Sequence, residues 1–251
     1  MQPLFHKKRT SLFAGVGMIL ALAAAALALA AGPGARMDWW HFGTGFMLLR
    51  WGVYIAIGAA VILLLGVIAA RPGTEKKGFA LAVLGLVIAA PIIIIPMLWL
   101  QSARSVPPIH DITTDVKNPP QFTAIVPLRE DAPNSIEYGG PAIAKQQKLA
   151  YPDIEPLLLN VNPDQAFNEA LAAAQQSGWE IVAKDVDGKR IEATDTTFWF
   201  GFKDDIVIRI SSNNGGSKVD MRSVSRVGKS DVGTNAERIR NFLERLKVKT
   251  S

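Results

Sequence analysis

The stretch DDIVIRISSNNGGSKVDMRSVSRV (204–227) decides the fold. At its centre stands Asn214-Gly215, a pair that favours a two-residue hairpin turn because both residues accept positive φ. If those two residues turn the chain, Ile210 comes opposite Val219, Ile208 opposite Met221 and Arg209 opposite Asp220. Apolar residues then meet on one face and an Arg–Asp pair meets on the other, the match that a fixed strand register requires.

Working outward, WEIVAKDVDGKRIEATDT (179–196) holds Asp187-Gly188 between two strand-like runs and predicts a second hairpin with a two-residue turn. TFWFGF (197–202) reads as a short aromatic strand with Phe198, Phe200 and Phe202 on one face. Upstream, NPDQAFNEALAAAQQSG (162–178) has Asn162 as N-cap, Pro163 at the first helical position, Gln165 completing a capping box, and Gly178 to end the helix. Phe167, Ala170, Leu171 and Ala174 fall on one face of it. LLLNV (157–161) before it reads as a strand. A last helix opens with Thr234 and Glu237 as a capping box and carries Ile239, Phe242, Leu243 and Leu246 as its apolar stripe. Residues 157–251 therefore predict a β-α-β-β-β-β-α domain of the α+β class, two helices packed on a mainly antiparallel sheet.

Residues 103–156 contain most of the prolines of the soluble part, from Pro107 to Pro156. Proline removes a backbone donor and disfavours helix at the residue before it, so this segment reads as an extended arm or linker without long helices. FTAIV (122–126) is its strand candidate.

The first hundred residues are of another kind. Mean hydropathy is +0.20 for the whole chain, and the apolar content concentrates in three long runs, at about 12–31, 50–70 and 79–100, which define a membrane domain over residues 1–102. About 20 apolar residues suffice for a helix to cross a bilayer core of roughly 30 Å. Lys7, Lys8 and Arg9 precede the first run and Arg71, Lys76 and Lys77 lie between the second and third, whereas the loop between the first and second offers Arg36. Cytoplasmic loops retain Lys and Arg, so the N-terminus reads as cytoplasmic and everything after Leu100 as external. For a bacterial inner membrane that places the C-terminal domain in the periplasm. Trp39, Trp40, Phe42, Trp51 and Trp99 would form the outer interfacial belt. The first run, with its basic start and its small-residue exit, also fits a cleavable secretory signal.

The formal charge of +5 does not indicate nucleic acid. Residues 1–102 carry 8 basic and 2 acidic groups, residues 103–205 carry 9 and 16, and residues 206–251 carry 10 and 4, so the soluble part divides into an acidic and a basic half. No cysteine is present, which excludes disulfides and thiolate metal sites. No ionisable residue interrupts the middle of an apolar run, which argues against an ion or proton pathway. Pro91 and Pro96 predict a kinked third helix. Gly52, Ala56 and Ala60 make a stripe of small residues that fits either packing within the bundle or a membrane-protein partner.

Candidate site residues cluster late in the chain. Arg222, Arg226 and Lys229, with Ser225 and Arg238, bring cations and a hydroxyl close to the predicted N-terminus of the last helix, a combination that can hold a phosphate or carboxylate. The competing expectation pairs the arginines with the acidic half. His110, Asp111 and Asp115 are a second polar cluster, able in principle to ligate a metal or serve a hydrolase, with turn formation through Thr113 or Thr114 as the plainer alternative. Asp204 and Asp205 are adjacent, so on a strand they point to opposite faces and cannot act as one acid–base dyad. GKS (228–230) lacks the upstream glycine of a phosphate-binding loop.

IHDITTD (109–115), PPQF (119–122), IEATDTTFWFGFKDDIVIRI (191–210) and VDMRSVSRVGKSDVGTNAERIRNFL (219–243) together resemble the bacterial family catalogued as domain of unknown function 1499. The resemblance spans about residues 107–247. It implies a membrane-anchored or exported protein and carries over no activity, substrate, cofactor or catalytic residue. The sequence reading is thus a membrane-anchored envelope protein, not an enzyme and without a cofactor, whose external domain binds a protein or an anionic envelope component. The alternatives are an envelope hydrolase using His110 with Asp111 or Asp115, and an accessory subunit of a membrane complex.

Overall fold

A computed structural model describes residues 9–250; Lys7 and Lys8, used above for orientation, lie outside the described residues. The described residues divide into two compact units, one of residues 9–101 with Phe198–Gly201 and one of residues 102–197 with 202–250.

The first unit contains three helices long and apolar enough to cross a membrane: α1 (Leu12–Arg36), α2 (Phe42–Ala69) and α3 (Phe79–Ser105). All three outrun the apolar cores seen in the sequence. Helix α1 continues through Pro33, and α2 starts at Phe42, where the His41 side chain caps it by accepting from the Gly43 N–H at 3.1 Å. Helix α3 is continuous across Pro91 and Pro96. The stripe of small residues is taken up inside the bundle. A Cβ on Gly52 would lie 3.2 Å from the Ala24 carbonyl oxygen of α1, Ala56 is buried, and Ala60 packs on the same cluster. Gly52 and Ala56 therefore serve α1–α2 packing, the first of the two uses that the stripe allows.

In the second unit every strand pairing is antiparallel. The elements are β1 (Asp111–Thr113), a 3₁₀ turn (Val126–Arg129), α4 (Gly140–Ala150), β2 (Leu157–Leu159), α5 (Pro163–Gln176), β3 (Glu180–Asp185), β4 (Arg190–Thr196), β5 (Lys203–Asn213), β6 (Gly216–Ser225) and α6 (Thr234–Thr250). The sheet order is β1-β6-β5-β4-β3, and β2 pairs with β6 beside β1. The hairpin register read from sequence holds, with Ile210 opposite Val219, Ile208 opposite Met221 and Arg209 opposite Asp220. Its turn residues Asn214 and Gly215 have φ of 45° and 87°, as the turn requires. Helix α5 begins as expected, the Asn162 side chain accepting from the Gln165 N–H at 2.9 Å, and Gly178 ends it at φ 79°.

The alternation of the strands gives the sheet two different faces. Ile191, Ala193, Ile206, Ile208, Ile210, Val219 and Met221 point to one side, where α5 and α6 close an apolar core with Phe167, Trp179, Ile239, Phe242 and Leu246. The Trp179 and Phe242 rings stack at 5.4 Å. Opposite it, Val207 and Val224 meet Phe122 and Ile125 of the arm in a small second cluster.

Four sequence expectations are corrected. Residues 122–126 are not a strand: the Thr123 and Ile125 N–H groups are spent on the Glu192 carboxylate at 2.8 and 2.9 Å, and the 3₁₀ turn follows. The arm does contain a helix, α4, because Pro141 stands in its first turn, where a missing N–H costs nothing, and no proline follows until Pro152. Residues 197–202 are a loop, since β4 and β5 pair as far as Thr196 and Lys203, where the Thr197 N–H to Phe202 carbonyl bond of 2.8 Å closes it with Gly201 at φ 70°. The β3–β4 connection has four residues rather than two, because Asp185 and Arg190 are the last pair and the Asp185 carboxylate accepts from the Gly188 N–H at 2.8 Å.

Candidate functional site

The arm-facing side of the sheet is built from charges. Along β6, Asp220, Arg222 and Val224 alternate with the core-facing Val219, Met221 and Ser223, and neighbouring strands add Glu192, Thr194, Asp205 and Arg209 to the same side. A charge taken out of water is tolerable only when paired and hydrogen-bonded, and the arm supplies the missing partners. Arg222, with 0% exposure, donates from Nε and Nη2 to both oxygens of Asp111 at 2.9 and 2.8 Å. Its remaining N–H groups reach the carbonyls of Pro120 and Ile136 at 3.3 and 2.7 Å, while its guanidinium carbon lies 5.2 Å from the Phe122 ring centre and 5.6 Å from that of Tyr138. Burial, and then the Asp111 charge, push the Tyr138 hydroxyl up to about 12 against the pull of Arg222. Asp111, Pro120, Phe122 and Arg222 come from three of the stretches that carried the family resemblance.

A second charged cluster lies further along the same face. Asp205 accepts from Arg129 at 2.6 Å, from Thr194 at 2.7 Å and from Arg226 at 2.9 Å with each oxygen. Burial acts to raise its carboxyl, but the bonds from Arg226, Thr194 and Arg129 outweigh it and hold the group below the usual carboxylate range. Arg129, itself in the arm, also donates to the Val224 and Ser225 carbonyls of β6, and Arg226 donates to the Leu128 carbonyl of the arm. On the helix-covered side, Arg238 donates to Asp195 at 2.8 Å and Asp204 at 2.7 Å, and reaches Ser223 and Asn235, while Ser225 accepts from Asn235 at 3.0 Å.

Of the residues expected to hold an anion, Arg222, Arg226, Arg238 and Ser225 are thus engaged inside the fold, as the pairing alternative describes, and Lys229 is exposed. The N-terminus of α6 is also occupied. The helix starts at Thr234, and the Asp231 carboxylate accepts from the Gly233 and Asn235 N–H groups at 2.9 and 2.7 Å, so Asp231 fills the place an external anion would take. Burial holds the Asp231 carboxyl above its usual range.

His110, Asp111 and Asp115 do not converge. Asp111 turns to Arg222, whereas Asp115 accepts from Lys218 at 3.0 Å and from the Lys117 and Asn118 N–H groups. The His110 backbone carbonyl takes the Ser225 N–H and the Asn235 side-chain amide. Among the described residues no group of three His, Asp or Glu is arranged to hold a metal ion.

A concave surface of this unit lies where β1 has ended and β2 has begun along β6. It is a notch of about 600 Å³ whose lining includes Asp115, Lys117, Lys148, Glu155 and Lys218. Lys218 is paired with Asp115 and Asp220, whereas Lys117 and Lys148 are exposed and in no ion pair among the described residues. Its back wall is fixed by Gln147 of α4, whose side-chain amide accepts from the Thr113 N–H at 3.0 Å and donates to the Thr113 carbonyl at 2.7 Å, covering the open edge of β1. The sequence reading missed Gln147, Arg129 and Glu192. Glu192 alternates with Ile191 and Ala193 and so reads as a solvent-facing strand residue; only the arm laid over it makes it internal.

A family model described as a protein of unknown function, DUF1499, matches residues 111–246, more than half of the chain. The protein is a member of the DUF1499 family, here joined to three apolar helices of membrane-spanning length. No curated protein matches it. Among solved structures, that of Ara h 8.0201 is similar over 38% of this chain and 94% of its own, at 13% identity and a TM-score of 0.32, too distant to locate a site.

Proposed function

We propose that this protein is a membrane-anchored binding protein of the bacterial cell envelope, with its N-terminus in the cytoplasm and its DUF1499 domain in the periplasm, and that it is not an enzyme. The orientation rests on the bias of Lys and Arg toward the N-terminus and the α2–α3 connection. The hydrolase alternative is disfavoured because Asp111 and Asp115 are spent on two different cations, Arg222 and Lys218.

The observation that carries the binding role is the notch beside β6. Arg222, Arg226 and Arg238 are spent on Asp111, Asp205, Asp195 and Asp204 inside the fold, whereas Lys117 and Lys148 are exposed cations on the rim of a concave surface. That arrangement suits a ligand or protein presenting phosphate or carboxylate groups. Capture from envelope membranes in mild detergent, followed by mass spectrometry, tests it. The Lys117→Glu/Lys148→Glu variant should lose the captured component with its thermal midpoint unchanged, because neither lysine supports the fold. Unchanged capture by that variant overturns the notch as the site; a Lys229→Glu variant that loses capture instead would return the site to the exposed lysine near α6.

A further inference from the structure

The first unit contains four residues that are remote in sequence from its helices: Phe198, Trp199, Phe200 and Gly201, at the tip of the β4–β5 loop. Phe198 is 84% exposed, the highest value for a large apolar side chain among the described residues. A single exposed aromatic ring in water needs no explanation, but this ring is held in a defined place. Arg36, at the end of α1, donates to the Phe198 carbonyl, and its guanidinium carbon lies 5.9 Å from the Phe198 ring centre. The Phe200 ring is 4.8 Å from that of Phe46, in the first turns of α2, and the Trp199 indole fills the space beside Gly32 that a side chain there would take.

These neighbours set the depth of the tip. Trp39, in the connection between α1 and α2, is exposed, and aromatic residues at the end of a spanning helix sit among lipid headgroups. An arginine there extends its charge to the headgroups while its stem lies along apolar surface. Phe198 shares that level with Arg36 and continues the exposed belt sideways.

We propose that the Phe198–Gly201 tip is a bilayer-contacting element, with the Phe198 ring inserted at the boundary between headgroups and acyl chains. The occupant of this surface is the phospholipid bilayer itself, because the ring is continuous with the lipid-facing belt of the helices.

The chain has no cysteine, so single labels can be placed on the full protein. Phe198→Cys, Trp39→Cys and Asn214→Cys variants, spin-labelled and reconstituted in phosphatidylcholine–phosphatidylglycerol vesicles, are compared by their collisions with oxygen and with a water-soluble nickel chelate. The label at 198 should favour oxygen as the label at 39 does, and the label at 214, in the β5–β6 turn, should favour nickel. Nickel access at 198 equal to that at 214 overturns the proposal. Since cysteine removes the ring, Phe198→p-benzoylphenylalanine provides a second measurement: irradiation should give phospholipid adducts, and adducts to protein alone overturn it.

Discussion

The two faces of the sheet are buried by opposite means. On the helix side, Ile191, Ile206, Ile208, Ile210 and Met221 pack against α5 and α6, and stability there comes from apolar area withdrawn from water, about 1.5–3 kcal/mol for each large side chain. On the arm side, the segment that covers the sheet is irregular and rich in proline, with Phe122 and Ile125 as its buried apolar contacts. Hydrophobic burial is non-directional and would leave such a segment free to slide. Charge-assisted hydrogen bonds are directional, and here they join charged side chains to individual backbone groups: Glu192 accepts from the Thr123 and Ile125 N–H groups, the buried Arg222 donates to the Pro120 and Ile136 carbonyls, and the half-buried Arg226 donates to the Leu128 carbonyl. The difference teaches that a chain without regular structure can be given one conformation by charges on the sheet beneath it.

That contrast can be broken most severely at Arg222. Arg222→Ala leaves Asp111 buried without its cation, and the expected cost is about 3–5 kcal/mol, read as a fall in the thermal midpoint of the full protein in detergent. Hydrogen exchange should accelerate through residues 118–138 more than in α5. The Arg222→Met/Asp111→Leu double variant should recover most of the loss, since an apolar pair of similar size replaces a buried ion pair at little cost. If the single variant costs less than Ile208→Ala, for which about 2–5 kcal/mol is expected, the charged face does not hold the arm.

Glu192→Gln sharpens the comparison with a smaller change. The amide keeps one acceptor for the two arm N–H groups and loses the charge facing Arg190, so about 1–3 kcal/mol is expected, with exchange faster at Thr123 and Ile125. Acid should also separate the faces. Asp205 has its carboxyl lowered in the folded state, so its contribution is present above the unfolded value of about 3.9 and is lost as pH falls through the lower folded value. Thermal midpoints of the native protein and of Asp205→Asn should therefore differ at neutral pH and converge in strong acid. The smallest effect is expected at Arg240, whose pair with Asp153 is exposed on both sides: Arg240→Ala should cost less than about 1 kcal/mol, measured by the same midpoint.

Much of the architecture was legible because periodicity is local. The register of β5 on β6 followed from one Asn-Gly pair and the alternation around it, α5 from its cap and stripe, and the spanning helices from unbroken apolar length. The candidate site was less legible. Arg222 and Arg226 read equally well as surface cations or as members of ion pairs, because a strand's alternation says which residues share a face and not what covers that face. The loop at 197–202 and the four-residue turn before Arg190 were misread for a related reason: strand ends are set by how far two chains zip, and that depends on the partner strand.

By itself the sequence determined the three membrane-length helices, the α+β layer and the family, since each rests on composition, spacing or motif within a short window. The tertiary structure alone decided that the arm lies over the charged side of the sheet, that Asp231 occupies the α6 terminus, and that a notch opens between β1 and β2. Those facts depend on groups brought together across a hundred residues, as Asp111 and Arg222 are, and long-range closure of that kind leaves no periodic trace in the chain.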